Sequence, residues 1–257
     1  MATSYRRSRR IPLARWLLAI LFSTLLAAMA FGILCERFRK TPATNGFNIP
    51  LPAGHRLFGI DISRYQGAID WKQVGKRQDG KTTIHFAFIK ATEGGGHVDP
   101  QFRRNWEAAA KQGIRRGAYH YFLPAVDPAA QARHFISRVQ LHAGDLPPVL
   151  DVEETRGVPA ATLRNRIARW LESVEKHYGV RPILYTYVDF YEQTLGDRFD
   201  AYPLWVAHYL QPHQPRIRRD WAFWQFSEKA RISGIRGVVD LNAFQGDAAA
   251  FQRLLLR

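Results

Sequence analysis

The chain has 257 residues, of which 46% are hydrophobic, so it can bury a sizeable core in one large domain or two small ones. Its formal net charge is +15, and its single cysteine, Cys35, excludes an intramolecular disulfide. Residues 1–58 hold nine Lys/Arg and one acid, which leaves a net charge of +7 on residues 59–257. Such a surface suits either plain solubility or attraction to a polyanion.

The N-terminus predicts export. Five arginines within residues 1–15 precede an uncharged run over 16–35, which is long enough to cross a bilayer as a helix. Arginines ahead of such a segment favour a cytoplasmic N-terminus, so the rest of the chain would lie outside. We predict a basic cytoplasmic tail over 1–15 and a transmembrane signal-anchor over 16–35. A cleaved signal peptide is the alternative, because residues 28–30 (Ala-Met-Ala) have the small-x-small form of a signal peptidase site.

A linker is predicted over residues 36–57. Its central part is rich in Pro, Gly, Asn and Thr and shows neither helical nor strand periodicity. We interpret it as a spacer that holds the folded part, residues 58–257, away from a membrane.

From Phe58 onward, patterns typical of strands and helices alternate. Helical stripes with a spacing of three to four residues separate short apolar runs, and Asp127-Pro128 and Gly179 have the character of a helix start and a helix stop. This rhythm predicts five strand–helix units. The strands of these units are predicted at 59–63, 84–90, 117–122, 147–154 and 183–185.

The last third of the chain has a different rhythm. Three apolar runs over 204–209, 221–226 and 238–244 are separated by gaps too short for a full crossover helix. Eight strands of this kind predict an α/β fold: a modified TIM-like barrel of five strand–helix units followed by three strands with little helix. A doubly wound open sheet is the structural alternative.

Four carboxylates stand at or near strand ends, where chemistry is found in such barrels. Asp61 ends the first strand, Asp151 and Glu153 end the fourth, and Asp240 lies in the last. Side chains at i and i+2 share a face, so Asp151 and Glu153 should point the same way. Two buried like charges can raise a pKa enough to give an acid at neutral pH. The alternative is that these carboxylates are solvated side chains at a strand end and have no catalytic role.

Aromatic side chains on neighbouring strands would make this acidic groove a stacking surface. That combination fits a polysaccharide and disfavours a phosphate backbone, so no nucleic-acid partner is expected. No zinc pattern occurs among the nine histidines and no phosphate loop follows Gly94-Gly95-Gly96, so no metal or cofactor is expected. Packing inside a barrel explains each aromatic about as well as sugar contact does. The candidate sugar contacts are Tyr65, Tyr119, Tyr121, Tyr187, Trp205 and Trp224.

The motifs together resemble glycoside hydrolase family 25, the Chalaropsis-type lysozymes, which are N-acetylmuramidases. Seven segments occur in the family's order and cover nearly all of residues 58–257. The resemblance implies the same barrel and cleavage of the β-1,4 bond from N-acetylmuramic acid to N-acetylglucosamine in peptidoglycan. The segments are 59–67, 88–94, 117–122, 150–153, 205–207, 224–226 and 239–242.

The resemblance also implies roles for the four carboxylates. Glu153 resembles the general acid, and Asp151 resembles its partner, as a charged neighbour or as the group that orients an N-acetyl substituent. Asp61 and Asp240 resemble a second acidic pair that polarises water or steadies positive charge at the anomeric carbon. A direct displacement and a substrate-assisted route through the acetamido group are both open.

The expected partners are therefore peptidoglycan glycan strands and, through the N-terminal segment, a membrane. The catalytic domain would lie outside the cytoplasm, membrane-anchored, or secreted if the signal is cleaved. Two alternatives are a catalytically silent glycan-binding barrel and a chitinase-like glycosidase. Chitinases of that kind usually carry a longer acidic run before the Glu, which residues 147–150 lack.

Overall fold

A computed structural model describes residues 46–78 and 82–257, and in these residues eight strands form a closed barrel. A ninth, two-residue strand pairs only with the end of the second strand. The strands are β1 (Phe58–Ile62), β2 (Ile84–Glu93), β3 (His97–Val98), β4 (Arg115–Tyr121), β5 (Val149–Asp151), β6 (Ile183–Tyr187), β7 (Leu204–Ala207), β8 (Phe223–Ala230) and β9 (Val239–Phe244).

The α-helices lie mostly in the first two thirds of the chain, as the sequence predicts. Single turns of 3-10 helix occupy Arg64–Gln66 and Gly196–Phe199, and a π-helical turn occupies Tyr191–Leu195. The α-helices are α1 (Trp71–Val74), α2 (Phe102–Lys111), α3 (Pro128–Arg138), α4 (Ala160–Tyr178), α5 (Val188–Phe190) and α6 (Ala248–Leu254).

The barrel closes because β1 pairs with two strands, β2 on one side and β9 on the other. Neighbouring barrel strands from β1 through β8 are parallel, whereas β9 runs antiparallel to both β8 and β1. The predicted modified TIM-like barrel is therefore confirmed, and the open-sheet alternative was wrong. The predicted helix boundaries also hold: the Asp127 side chain accepts from the Ala130 amide, and Gly179 ends α4 with φ 69°.

The fourth predicted strand is shorter than the sequence suggests, and Glu153 lies beyond its end. Proline has no amide hydrogen, so Pro147 and Pro148 cannot donate to a neighbouring strand, and β5 begins at Val149. Past Asp151 the chain still follows β6, because the Val152 amide donates to the Tyr185 carbonyl at 2.9 Å. Because of this additional hydrogen bond, the chain stays alongside β6 beyond Asp151. The Glu153 side chain therefore lies on the same side of the sheet as the Asp151 side chain.

Aromatic side chains fill the end of the barrel opposite the carboxylates. Phe86, Phe88 and Phe223 pack there with ring centroids 5.0–5.6 Å apart, and Phe251 of α6 closes against Phe86 and Phe223. A Cβ atom at Gly59 would lie 2.3 Å from the Phe86 ring, so only glycine leaves room for this packing. The interior is thus solid at one end, and polar side chains collect at the other.

Residues 46–57, part of the predicted linker, pack on the outer side of β8 and β9. The Phe47 carbonyl accepts from the Arg231 amide just beyond β8, and the His55 ring lies 5.6 Å from Trp221 and 6.0 Å from Trp224. This segment supplies an outer layer where the last three strands have few helices. The folded part therefore includes residues ahead of Phe58, and the role of the earlier linker residues as a spacer stays a prediction.

Replacing Phe47 with alanine tests whether this outer layer stabilises the barrel. Phe47 is 0% exposed, so we expect the free energy of unfolding to fall by about 3 kcal/mol and Tm by roughly 6 °C or more. Thermal unfolding followed by circular dichroism measures this. Leu210→Ala is the control, since Leu210 is 93% exposed and its loss should change Tm little. Equal Tm values for the two variants would contradict a stabilising role of residues 46–57.

Within residues 46–78 and 82–257, no helix combines the length and apolar character needed to cross a membrane. The signal-anchor predicted over 16–35 lies outside these described residues, as does the basic tail over 1–15. Both stay predictions.

Candidate active site

The four predicted carboxylates meet in one cleft at the end of the barrel where the parallel strands terminate. Asp61 lies near the end of β1, Asp151 ends β5, Glu153 follows β5, and Asp240 stands second in the antiparallel strand β9. The cleft has a volume of about 280 Å³ and is lined by all four carboxyl groups. Antiparallel β9 brings its beginning, rather than its end, to this rim, which is why Asp240 reaches the site.

Asp61 and Asp240 form the first pair of carboxyl groups, directly opposite each other in the β1–β9 ladder. Their side chains hydrogen-bond to each other, which requires a proton on one of them. Burial raises the pKa of Asp61, and the amides of Asn242 and Gln225 oppose that rise by donating to it. Burial and the neighbouring Asp61 raise the pKa of Asp240 to about 9. The two amide donors thus favour the negative charge on Asp61, and the raised pKa of Asp240 favours the proton on that group.

Asp151 and Glu153 form the second pair. Burial raises the pKa of Asp151 well above its usual value, and the adjacent Glu153 charge adds to the rise. Burial also raises the pKa of Glu153, and the hydrogen bond from Asp151 partly offsets it. No donor among the described residues reaches Asp151 Oδ1, so no hydrogen bond at that oxygen favours the ionised form. Burial therefore favours the neutral form of both carboxyl groups, most strongly that of Asp151.

A single ammonium group balances part of this negative charge. Lys90 Nζ lies 2.7 Å from Glu93 Oε2 and 4.8 Å from the centre of the Tyr121 ring. Its charge lowers the pKa of both Asp151 and Glu153, against the larger effect of burial. Glu93 thus holds the Lys90 side chain in place.

Five of the six predicted aromatic contacts line the cleft or its extension. Tyr119 and Tyr121 stand on the β4 wall, and Tyr65, 79% exposed, stands at the rim. Tyr187 is half-exposed beside Glu153 in the neighbouring depression. Trp205 forms part of the cleft floor and stacks on Phe88 with ring centroids 4.2 Å apart. The exposed rings are free to stack on a sugar, whereas Trp205 also packs in the barrel interior.

Trp224, the sixth, requires a correction. Its ring is buried on the outer side of the barrel, 5.5 Å from Phe226 and 6.2 Å from Trp221, and its Nε1 donates to the His208 carbonyl at 2.8 Å. Side chains alternate along β8, so Trp224 and Phe226 face outward and Gln225 between them faces the cleft. The prediction wrongly assigned Trp224 to the face of β8 that points into the cleft.

The sequence analysis missed two buried amides that contact Asp61. Gln225 Nε2 and Asn242 Nδ2 donate to Asp61 Oδ2 at 2.9 and 2.7 Å. The alternation rule could have found both, since Gln225 is the polar residue between two outward aromatics and Asn242 stands two positions after Asp240. It also missed the cleft tyrosine Tyr209.

Glu153 stands at the boundary between two depressions. Beyond it, a second depression of about 350 Å³ continues toward Tyr187 and His208, and it shares Glu153, Tyr185 and Tyr209 with the first. A glycan strand laid along both would place a glycosidic oxygen near Glu153, with a sugar on each side. A larger surface groove of about 720 Å³ lies between Trp71 and Arg236 but holds no pair of carboxyl groups.

No set of three or more His, Cys, Asp or Glu side chains is placed to hold a metal ion within residues 46–78 and 82–257. The cleft itself presents two pairs of carboxyl groups. Burial raises the pKa of all four carboxyl groups, and two amide donors favour the anion at Asp61, so the groove can provide an acid and an anion, as glycoside hydrolysis requires.

Comparison with known proteins places this chain among sugar hydrolases. The profile of the family described as Glycosyl hydrolases family 25 matches residues 60–235. YegX of Escherichia coli (strain K12) is 46% identical over 206 residues, covering 80% of this chain and 76% of YegX. Lysozyme M1 of Streptomyces globisporus is 34% identical over 74% of this chain and 68% of its own length. The structure of a family 25 glycosyl hydrolase from Bacillus anthracis superposes with a TM-score of 0.74 at 32% identity, covering 80% of this chain and 97% of the other.

Proposed function

Because this chain belongs to Glycosyl hydrolases family 25, we infer that it is a lysozyme, a glycoside hydrolase that cuts peptidoglycan. The bond cleaved is the β-1,4 bond from N-acetylmuramic acid to N-acetylglucosamine. The observation that carries this proposal is the meeting of four carboxyl groups, arranged as two pairs, in one groove. No observation on the described residues favours a silent glycan-binding barrel or a chitinase-like enzyme.

Glu153 is the proposed general acid. It stands where the two depressions meet, and its raised pKa keeps a proton available near neutral pH. It would protonate the leaving glycosidic oxygen, which would leave Glu153 negatively charged next to Asp151. Since Asp151 holds a proton readily, it can donate a hydrogen bond to that new charge. Asp151 is thus proposed to stabilise the Glu153 anion as the bond breaks.

Asp61 is the proposed fixed negative charge of the site. Two amide N–H groups and the carboxyl of Asp240 donate to it, so it remains ionised although buried. An anion held in a dry site stabilises positive charge that develops on the sugar, or on its acetamido nitrogen, far better than it would in water. Asp240 supports this role from the opposite strand by holding the proton of the pair.

The substrate contacts proposed for the tyrosines follow from their positions. Tyr119 and Tyr121 form the wall beside Asp151, Tyr65 lines the first depression and Tyr187 lines the second. Exposed aromatic rings suit the apolar faces of sugar rings. Trp205 is proposed to act from below, as the floor against which the reacting sugar rests.

The proposed location follows from the substrate and from the N-terminal sequence. Peptidoglycan lies outside the cytoplasmic membrane, and the arginine-rich start followed by the uncharged run over 16–35 provides a signal for export. We propose a membrane anchor at 16–35, with secretion after cleavage as the alternative. Mass spectrometry of the mature protein decides between them, since a chain that starts at Phe31 has lost the anchor.

The activity itself is tested with purified protein and purified peptidoglycan. We expect soluble muropeptides to be released with N-acetylmuramic acid at the new reducing ends, identified by borohydride reduction and mass spectrometry. N-acetylglucosamine at the reducing end would contradict the assigned bond. Binding to peptidoglycan without any release would instead support the silent glycan-binding barrel.

A further inference from the structure

Gln225 joins three functional groups of the cleft through a single buried amide. Its side chain is 2% exposed. Its Oε1 accepts from the hydroxyl groups of Tyr185 and Tyr209 at 2.9 and 2.7 Å, and its Nε2 donates to Asp61 Oδ2 at 2.9 Å. A buried amide with a partner on each side has its orientation fixed by those partners.

The direction of the neighbouring bonds is also fixed. An indole N–H can only donate, so Trp205 Nε1, 2.7 Å from Asn242 Oδ1, sets that oxygen as the acceptor. Asn242 therefore presents its Nδ2 to Asp61 Oδ2 at 2.7 Å. With Gln225 added, one carboxylate oxygen receives two N–H donors, which is the arrangement that favours an ionised carboxylate.

We propose that Gln225 is a positioning residue that keeps the negative charge of the carboxyl pair on Asp61 and the proton on Asp240. The inference rests on the proposed lysozyme function and assigns a residue that holds its fixed anion. The other titratable groups that line the cleft with Asp61 and Asp240 are the carboxyl groups of Asp151, Glu153 and Glu228, the Lys90 ammonium, and the tyrosines Tyr65, Tyr119, Tyr121, Tyr185 and Tyr209. No cation forms an ion pair with Asp61 among the described residues, so the amides carry this task.

The same contacts set what the two tyrosines can offer a substrate. Because the hydroxyl groups of Tyr185 and Tyr209 both donate to Gln225, their oxygens can only accept hydrogen bonds from a group in the cleft. These oxygens would accept hydrogen bonds from sugar hydroxyl groups or from an acetamido N–H. A substrate group that can only accept, such as a carbonyl oxygen, would find no hydrogen-bond donor at either tyrosine.

Gln225→Met tests the proposal because methionine has similar length but no amide. Losing a donor destabilises the Asp61 carboxylate, so its pKa should rise and the acidic limb of the kcat–pH profile should move up by roughly one pH unit. We expect kcat to fall at least tenfold at neutral pH, with KM changed less, since the anion acts in the transition state. ¹³C NMR titration of aspartate carboxyl groups, with Asp61 identified by its absence in Asp61→Asn, gives the same shift without substrate.

Gln225→Glu provides a second variant of nearly unchanged shape, which decides the matter if the methionine variant fails to fold. The carboxyl group introduced by this substitution can still donate to Asp61 while it is protonated, but its ionisation would place another charge in the cleft. The activity of this variant should therefore be lost on the alkaline side at lower pH than in the unsubstituted chain.

The matched control is Gln131→Met. Gln131 is also buried, and its amide is hydrogen-bonded to His120, Leu123 and Val126 on the outer side of the barrel. This variant should lose stability but keep the pH profile. If Gln225→Met or Gln225→Glu also keeps that profile and the Asp61 titration, Gln225 is only a packing residue and the proposal is overturned. Absence of activity in the unsubstituted chain would contradict the lysozyme function instead, while the NMR titration would still decide the role of Gln225.

Discussion

Replacing Glu153 with glutamine is expected to reduce the release of reducing ends from peptidoglycan by at least a hundredfold, the range attributed to a general acid. Glutamine has nearly the same shape, but its amide does not serve as an acid at neutral pH. Burial, the largest cause of the raised Asp151 pKa, stays in this variant, but the contribution of the Glu153 charge is lost, so the pKa of Asp151 should fall. Fold and Tm should be preserved.

Glu154→Gln is the matched control for this experiment. Glu154 follows Glu153 directly, but its carboxylate forms an ion pair with Arg156 at 2.6 Å and does not line either depression. Its loss should change kcat less than about threefold, since a partly exposed ion pair contributes little. Full activity in Glu153→Gln, or an equal loss in both variants, would remove Glu153 from the role of acid.

Asp61→Asn and Asp240→Asn are expected to differ sharply, although the two residues face each other. An asparagine at 240 still donates an N–H to Asp61 and leaves the anion where it is. An asparagine at 61 presents its own N–H to Asp240, which moves the charge to the wrong carboxyl group. We expect kcat/KM to fall at least a hundredfold for Asp61→Asn and less than about tenfold for Asp240→Asn.

Steady-state kinetics on soluble glycan fragments over a range of pH values measures the contrast. Equal losses in the two variants would show that the charge is shared rather than held on Asp61. A larger loss for Asp240→Asn would reverse the assignment.

The same pair predicts how stability depends on pH. An aspartate carboxyl group ordinarily has a pKa of 3.8, and burial beside Asp61 raises the pKa of Asp240 to about 9, so the folded state binds more protons than the unfolded state between these values. Stability therefore falls as pH rises through this window, because the unfolded chain releases its proton first. Asp240→Asn removes this dependence, so its Tm relative to the unsubstituted chain should rise from about pH 5 to about pH 8.

Much of this site could be predicted from the sequence because a barrel converts strand order into position. Asp61, Asp151 and Asp240 each follow or lie within an apolar run, and parallel strands that end at one rim bring such residues together. Glu153 was within reach of the same rule, although it lies beyond the strand, because one further backbone bond keeps the chain alongside β6 there.

What could not be predicted depended on which face of a strand points inward. Trp224 and Gln225 are neighbours, and a shift of one position exchanges the outer layer for the cleft. In the first half of β8 both faces of the strand are buried, so the residues on the two faces differ little in polarity. Gln225 is the one polar side chain there that indicates which face points into the cleft. The packing of residues 46–57 on β8 could not be predicted either, because a contact between residues as far apart in the chain as Phe47 and Arg231 produces no pattern in the local sequence.

The antiparallel strand that closes the barrel also bears on when the enzyme becomes active during synthesis. The Asn242–Asp61 bond spans 181 positions of the chain, so loop closure between the first and last strands must precede it. Such long-range contacts are slow to form, and β9 is synthesised after every other strand of the barrel. A nascent chain that ends before β9 has an open barrel edge, and its Asp61 lacks both the Asn242 donor and the Asp240 proton. Lytic activity should therefore arise in one step, once β9 has paired with β1, and chains that end before β9 should not cut the wall.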